Sequence, residues 1–272
     1  MISDIDLIDV KAVNKVILET YGVNFSDYAG TSHRRRIEKS ANLLHISSID
    51  ILLDKLKLDK NFFERFCSNL VVKSTEFFRD PSFWRKLRDE VFAKIKNNST
   101  IRIWAAGFSS GEELVSLIIA LKEEGIYDKA KIIATETNDL TLLSIKETIY
   151  DSKDLETAFS NYERFEGKNK FEDYLIPIGD EFKINPVLFE KVSFQKHWLD
   201  NPAVPGKFDL ILCRNVFIYF NASMQDRVVE NFSNAMMPNG FLAIGVKENL
   251  ANSRKSNDFI VVCQEENIFR KK

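Results

Sequence analysis

Cysteine, histidine and proline are scarce in this 272-residue chain, and long apolar runs are missing. Three cysteines, Cys67, Cys213 and Cys263, are an odd number without paired spacing, which argues against a disulfide framework. Three histidines, His33, His45 and His197, lie far apart with no cysteine or carboxylate at ligand spacing, which argues against a structural zinc site and leaves no metal to assign. Neither charge is in excess: 38 Lys+Arg against 40 Asp+Glu leave a formal net charge of −2, so no global basic field recruits nucleic acid. Apolar stretches such as Val115–Leu121 and Leu210–Cys213 fall far below the ~18 residues of a membrane-spanning helix. The chain shows no internal repeat and no low-complexity segment. What remains is an ordinary globular composition, 44% hydrophobic and 29% charged, long enough for one large domain and a small one. The opening residues Met1-Ile2-Ser3-Asp4-Ile5-Asp6 are acidic where a signal peptide would be basic and then apolar, so a cytoplasmic location is expected.

The first ~70 residues read as helix after helix, with glycine only at Gly22 and Gly30. Apolar residues recur at helical spacing: Ile37, Ala41 and Leu44, then Ile51, Leu52, Leu56 and Leu58. Thr31 or Ser32 is expected to cap a helix that carries His33-Arg34-Arg35-Arg36 in its first turns. Cations there oppose the helix macrodipole. The run is either a solvated face whose arginine stems cover apolar surface or a basic face that docks an acidic partner helix. From about residue 100 strands and helices alternate. The expected strands are Ile101–Ala106, Lys131–Glu136, Val192–Phe194, Phe208–Cys213, Gly240–Val246 and Phe259–Gln264, with helices at Glu113–Leu121 and Asn221–Met237. This rhythm predicts a mostly parallel sheet covered on both faces. Tyr150–Pro186 breaks it and is expected to hold a small inserted subdomain with a hairpin around Gly179-Asp180.

The segment Ile101-Arg-Ile-Trp-Ala-Ala-Gly-Phe-Ser-Ser-Gly-Glu-Glu113 reads as strand, glycine turn and helix. As G-x-S-x-G it matches the nucleophile elbow of hydrolases, with Ser109 as nucleophile. That reading lacks a preceding oxyanion loop and would put the elbow after the first strand of the sheet. The competing reading is nucleotide binding of the S-adenosylmethionine (SAM) type, in which the carboxylate of Glu136 at the second strand tip holds ribose hydroxyls. Glu112 and Glu113 would repel a pyrophosphate and favour a cationic amino group and sulfonium. Two acids at a helix N-terminus are equally what the macrodipole favours on its own.

Three segments carry a family resemblance. Lys73-Ser-Thr-Glu-Phe-Phe-Arg-Asp-Pro81 resembles N-V-T-E-F-F-R-D-P, Trp104-Ala-Ala-Gly-Phe-Ser-Ser-Gly-Glu-Glu113 resembles W-S-A-G-x-S-T-G-E-E, and Phe208-Asp-Leu-Ile-Leu-Cys-Arg-Asn-Val-Phe-Ile-Tyr-Phe220 resembles F-D-x-I-x-C-R-N-V-x-I-Y-F. In this order they resemble the chemoreceptor glutamate methyltransferases, the CheR family. The resemblance extends to Tyr21-Gly22, to the Arg34-Arg35-Arg36-Ile37-Glu38 helix and to Pro238-Asn239-Gly240, and so spans nearly the whole chain. It implies an α/β fold: a Rossmann-like class I SAM-dependent methyltransferase sheet with an N-terminal all-helical domain and a small inserted β-subdomain. The implied domains are 1–72, carrying the basic docking helix; 73–95, a linker helix contributing to the cofactor site; and 96–272, the methyltransferase domain with its insert at about 150–186.

The resemblance also implies roles. Lys73 is a cofactor-binding position, Thr75 and Arg79 lie against the methionine end of SAM, and Arg79 pairs its carboxylate through a bidentate fork. Gly107 and Glu113 meet the amino group, and Glu136 the ribose. His197 or Trp198 stands at the adenine position, and Arg214 and Asn215 close the site. Tyr219 and Arg79 flank the transferred methyl as the catalytic pair. Arg34, Arg35, Arg36 and Lys39 form the docking face for the cytoplasmic helical bundle of a chemoreceptor. The chain departs from the family pattern at Lys73 (asparagine), Glu136 (aspartate), Lys196-His197-Trp198-Leu199-Asp200 (H-N-L-L-D) and Gly245-Val246-Lys247-Glu248-Asn249-Leu250 (G-H-S-E-N-F). The implied product is S-adenosylhomocysteine (SAH), and the enzyme is expected to be a monomer with no membrane insertion. Competing readings are a CheR-like methyltransferase of a non-receptor protein and a catalytically weak SAM- or SAH-binding regulator. A glutamate with pKa near ~4.3 is already ionised at neutral pH, so the chemistry needs alignment and no general base.

Overall fold

The computed structural model describes residues 2, 5–70, 75–137, 139–203, 206–251 and 253–272. Four helices open the chain: α1 (Leu7–Tyr21), α2 (Gly30–Leu43), α3 (Ile49–Leu58) and α4 (Lys60–Leu70). Asp6 caps α1, its carboxylate accepting from the Ile8 and Asp9 amides while Asp9 returns a bond to the Asp6 amide, and Gly22 ends the helix at φ 70°. The expected side-chain cap on α2 is not formed. Its N-cap is Ala29, and the Ser32 hydroxyl instead donates to the Ala29 carbonyl. Ile37 and Ala41 of α2 are fully buried with Val13, Ile17, Leu52, Leu56 and Phe66, so the period-3.6 pattern does build a separate core.

Helix α5 (Pro81–Lys86), a π-helical turn at Leu87–Phe92 and α6 (Ala93–Ile95) lead into the sheet. There follow β1 (Ile101–Ala106), α7 (Glu112–Glu123), β2 (Ala130–Glu136), α8 (Asp139–Ser144), β3 (Ile149–Tyr150), α9 (Ser152–Phe165), β4 (Leu175–Ile178), β5 (Glu181–Ile184), β6 (Val192–Lys196), β7 (Phe208–Cys213), α10 (Ala222–Ala235), β8 (Met236–Ile244), β9 (Phe259–Cys263) and β10 (Ile268–Lys271). The large sheet runs β6-β2-β1-β7-β8-β10-β9, its first five strands parallel and β10 antiparallel to both neighbours. Both faces are covered: one core packs α7 and the aromatics Phe78, Phe83 and Trp84, the other packs α10 around Trp104, Phe217 and Phe232. Every expected strand is present. Strand β10 is the addition: four residues ending Arg270-Lys271 give no alternating signal of their own.

The insert is a three-stranded antiparallel sheet, β3-β5-β4, whose β4–β5 hairpin turns at Gly179 (φ 63°) and Asp180 as the turn residues suggest. Helix α9 between β3 and β4 was not expected; Phe165 and Tyr162 bury it against Phe78. Among the described residues, no helix is long and apolar enough to cross a membrane. Connections leave β1 and β7 in opposite directions, toward β2 and toward β8, so a crevice opens at their carboxyl ends. The helical domain is tied to its rim. Tyr28 bridges Phe220, the Ala29 amide donates to the Tyr219 carbonyl at 2.9 Å, and the Asn221 amide donates to the Asp27 carbonyl at 2.8 Å.

Candidate active site at the strand tips

A cleft of about 1250 Å³, counting its open mouth, occupies that crevice. Thr75, Arg79, Gly107, Glu113, Glu136, His197, Trp198, Arg214, Asn215 and Tyr219 all line it. Residues from five separate stretches of chain therefore meet in one cavity. Lys73 lies outside the described residues. Of the basic run, Arg36 lines the cleft, whereas Arg35 and Lys39 are exposed and Arg34 is half-buried.

The floor is the turn after β1. Gly107 (φ 72°), Ser109 (φ 55°) and Gly111 (φ 108°) are all left-handed, and a Cβ at Gly111 would lie 2.3 Å from Ile145 Cδ1. The bend aims the Ser109 amide at Glu136, donating to Oε1 at 2.6 Å, while the Thr137 amide donates to Oε2 at 3.1 Å. Burial pushes the Glu136 carboxyl up to about 7, against the lowering effect of these two amides. Each carboxylate oxygen keeps acceptor capacity toward the cleft. This geometry removes the nucleophile-elbow reading: the turn follows the first strand of the chain, and the Ser109 amide serves to hold a carboxylate.

Arg214 is a tie rather than an open cation. Its side chain has no solvent exposure, and its guanidinium reaches Glu113 Oε1 at 2.8 Å and Asp80 Oδ2 at 2.7 Å while lying 3.9 Å from the Phe83 ring centroid. It thereby joins the tip of β7, the start of α7 and the turn that carries Arg79. Desolvation raises the Glu113 carboxyl above its usual range, with Arg214 pulling the other way. The Arg79 turn is itself anchored, because the Phe78 amide donates to Ser116 Oγ at 2.8 Å and Trp84 Nε1 donates to the Arg79 carbonyl at 3.0 Å. Phe78 and Asp80 are both left-handed there.

On the opposite wall the Arg36 guanidinium stacks 3.8 Å from the centroid of the Tyr219 ring. Burial lowers the Arg36 pKa, with Tyr219 and Tyr28 opposing that shift. Arg36 is therefore a cleft residue, where the sequence placed it only on the docking face. The signal was available, since His33 and Ile37 are inward-facing and Arg36 sits on the shoulder between them. Phe25 and Tyr28, which roof the cleft from the helical domain, were not anticipated either. At the far end Trp198 packs edge-on to Phe25 at 5.6 Å, and His197 packs edge-on to Trp104 at 5.5 Å. His197 Nε2 is buried without a hydrogen-bond partner among the described residues, and burial lowers its pKa.

Comparison with known proteins gives the context. Residues 8–71 match the family described as CheR methyltransferase, all-alpha domain, and residues 73–266 match CheR methyltransferase, SAM binding domain. A Pseudomonas putida protein named as the methyltransferase Cher3 is 31% identical over 97% of both chains. The chemotaxis protein methyltransferase of Borreliella burgdorferi is 28% identical over 85% of this chain and 84% of its own, and that of Listeria innocua is 28% identical over 90% and 91%. The cleft fits the SAM that this domain binds. Its glycine turn lets the backbone approach a ligand, the Glu136 carboxylate keeps acceptor capacity of the kind a diol requires, and His197 Nε2 is without a hydrogen-bond partner among the described residues.

Proposed function

Because the chain belongs to the CheR methyltransferase family, and is thus a SAM-dependent methyltransferase, we propose that its acceptors are glutamate side chains on the cytoplasmic helical bundle of chemoreceptors, converted to methyl esters. The observation that carries the reading is the pair Arg36–Tyr219, the guanidinium 3.8 Å from the ring centroid, in a cleft that Arg79 also lines. A half-buried guanidinium stacked on a phenol suits an anionic acceptor and disfavours an amine.

SAM supplies a methyl group on a sulfonium, a leaving group that needs no protonation. The protein's own residues then have three tasks. Glu136 accepts from the ribose hydroxyls, and Glu113, held by Arg214, presents negative charge to the amino group. Arg79 pairs the methionine carboxylate. Arg36 and the Tyr219 hydroxyl orient the incoming carboxylate, which is ionised at neutral pH and surrenders no proton. Phe25, Tyr28 and Phe220 wall off water from the attacking oxygen. Alignment of this kind contributes up to ~7–11 kcal/mol, enough to explain a site without a dedicated base.

Arg34, Arg35 and Lys39 extend the positive face outward along α2 and are the docking surface for the acidic acceptor helix. The test is transfer of label from methyl-labelled SAM to a receptor helical fragment, beside the same fragment with glutamine at the candidate glutamates. Label that disappears with the glutamates supports the reading. Label indifferent to them, or no transfer while SAM binds, overturns it and favours a non-receptor acceptor or a binding regulator.

A further inference from the structure

We propose that Glu248 is a positioning residue of the methyl-transfer site, acting as the buckle that shapes the turn from Arg214 to Tyr219. Glu248 does not itself line the cleft, and it is almost fully buried, 5% exposed. Its carboxylate nevertheless accepts from four backbone amides. Oε2 takes those of Gly245 at 2.5 Å and Asn215 at 3.0 Å, and Oε1 takes that of Phe217 at 2.6 Å with a longer contact from Ile218 at 3.4 Å. Three of these amides belong to the stretch that leaves β7 and carries the cleft residues Arg214, Asn215 and Tyr219.

That stretch makes few backbone hydrogen bonds of its own, among them those of the Tyr219 and Phe220 amides to Val216 and Phe217. Asn215 is left-handed at φ 59°, and the chain runs from β7 into a single 3₁₀ turn at Phe217–Tyr219, which leaves successive amides without helical partners. A carboxylate with two oxygens is the one side chain that can accept from two pairs of amides at once. The fit around it is closed. A Cβ on Gly245 would meet Glu248 Oε2 at 2.8 Å and the Asn215 amide and side-chain nitrogens at 2.9 Å each. Asn267 holds the far side, its Nδ2 donating to the carbonyls of Gly245, Val246 and Glu248 at 2.9, 3.1 and 2.6 Å. Desolvation raises the Glu248 carboxyl and the amides lower it, as expected for an anion whose solvent has been replaced by oriented backbone dipoles.

Glu248→Gln keeps the volume and turns one acceptor into a donor facing an amide pair. A displacement of the order of 1 Å at Tyr219 costs about 10²-fold in turnover. The proposal rests on methyl transfer by this cleft and is independent of which acceptor is used. Two readouts test it: kcat against acceptor KM, and amide hydrogen exchange across residues 213–219 and 244–246 in the ligand-free protein. The expected result for Glu248→Gln is a kcat lower by about 10²-fold with acceptor KM within about 3-fold of wild type, and lost protection confined to those two segments. Asn267→Ala loosens the buckle indirectly and is expected to lower kcat by about 10-fold with the same exchange pattern, so it decides the matter should Glu248→Gln fail to fold. Wild-type kcat in either folded variant, or loss of protection spread evenly over the domain, overturns the proposal. The exchange arm stands even where no receptor fragment is methylated, which separates its failure from that of the acceptor assignment.

Discussion

Raising the pH from about 6 to about 8 should tighten SAH binding and loosen the ligand-free fold, both through Glu136. Burial holds this carboxyl at about 7 in the absence of ligand, although the Ser109 and Thr137 amides donate to it. A ribose diol donates hydrogen bonds, so the ionised carboxylate is the form that binds. With half-ionisation near 7, the competent fraction is about 0.1 one pH unit below and about 0.9 one unit above. Affinity should therefore rise roughly ten-fold across the range, about 1.3 kcal/mol. The fold responds with the opposite sign. A carboxyl whose folded pKa exceeds its unfolded value contributes stability that is fully present below the unfolded pKa, near ~4.5, and lost as pH rises through about 7, about 3 kcal/mol in total. Isothermal titration with SAH and thermal unfolding without it read the two slopes. Glu113, also raised by burial, adds a binding slope of the same sign, so Glu136→Gln should remove most of the dependence and leave a remnant. Binding that is flat between pH 6 and 8, or a glutamine variant that keeps the full slope, would falsify this role.

Arg214→Met should destabilise the fold by about 3 kcal/mol, because it leaves the Glu113 carboxylate buried and uncompensated while the more exposed Asp80 can resolvate. A drop of roughly 6–12 °C in the unfolding midpoint is expected, and adding Glu113→Gln should recover part of it; strictly additive losses would contradict the coupling. Charge reversal at Arg34 and Arg35 should raise acceptor KM and abolish its salt dependence while SAH affinity stays at the wild-type value. Parallel loss of both would show that α2 supports the cofactor cleft rather than docking. Gly245→Ala should cost about 1–3 kcal/mol through the contacts its Cβ would make with Glu248 and Asn215, and an unshifted unfolding midpoint would argue that the loop relaxes freely.

The alternation of strands and helices after residue 100 was plain in the sequence because the buried β1, β2 and β7 are predominantly apolar and alternate with helical patterns. Strand β10 was hidden because half of it is charged, and only pairing on both sides makes it a strand. Helix α9 was hidden within a charged, aromatic stretch whose apolar face is defined by Phe78 far earlier in the chain. Thr75, Arg79, Gly107, Glu113, Arg214, Asn215 and Tyr219 were readable from three local motifs, since each motif is a strand tip or a turn that the fold brings to one edge, whereas Phe25 and Tyr28 reach the cleft from the helical domain without such a signal. What the motifs conceal is pairing between them. That Arg214 spends its charge on Glu113 and Asp80, and that Arg36 crosses from the helical domain to Tyr219, depends on distances no local pattern encodes. Glu248 was similarly invisible as a functional group, because its partners are backbone amides, which carry no sequence signature.

The bond that the cleft makes is the most direct test. Protein incubated with methyl-labelled SAM and a chemoreceptor helical fragment should yield label that mild base releases as volatile methanol, the mark of a carboxyl ester. Label that resists base would mean transfer to nitrogen, sulfur or carbon, and the assignment of a carboxylate acceptor to the Arg36–Tyr219 wall would be wrong.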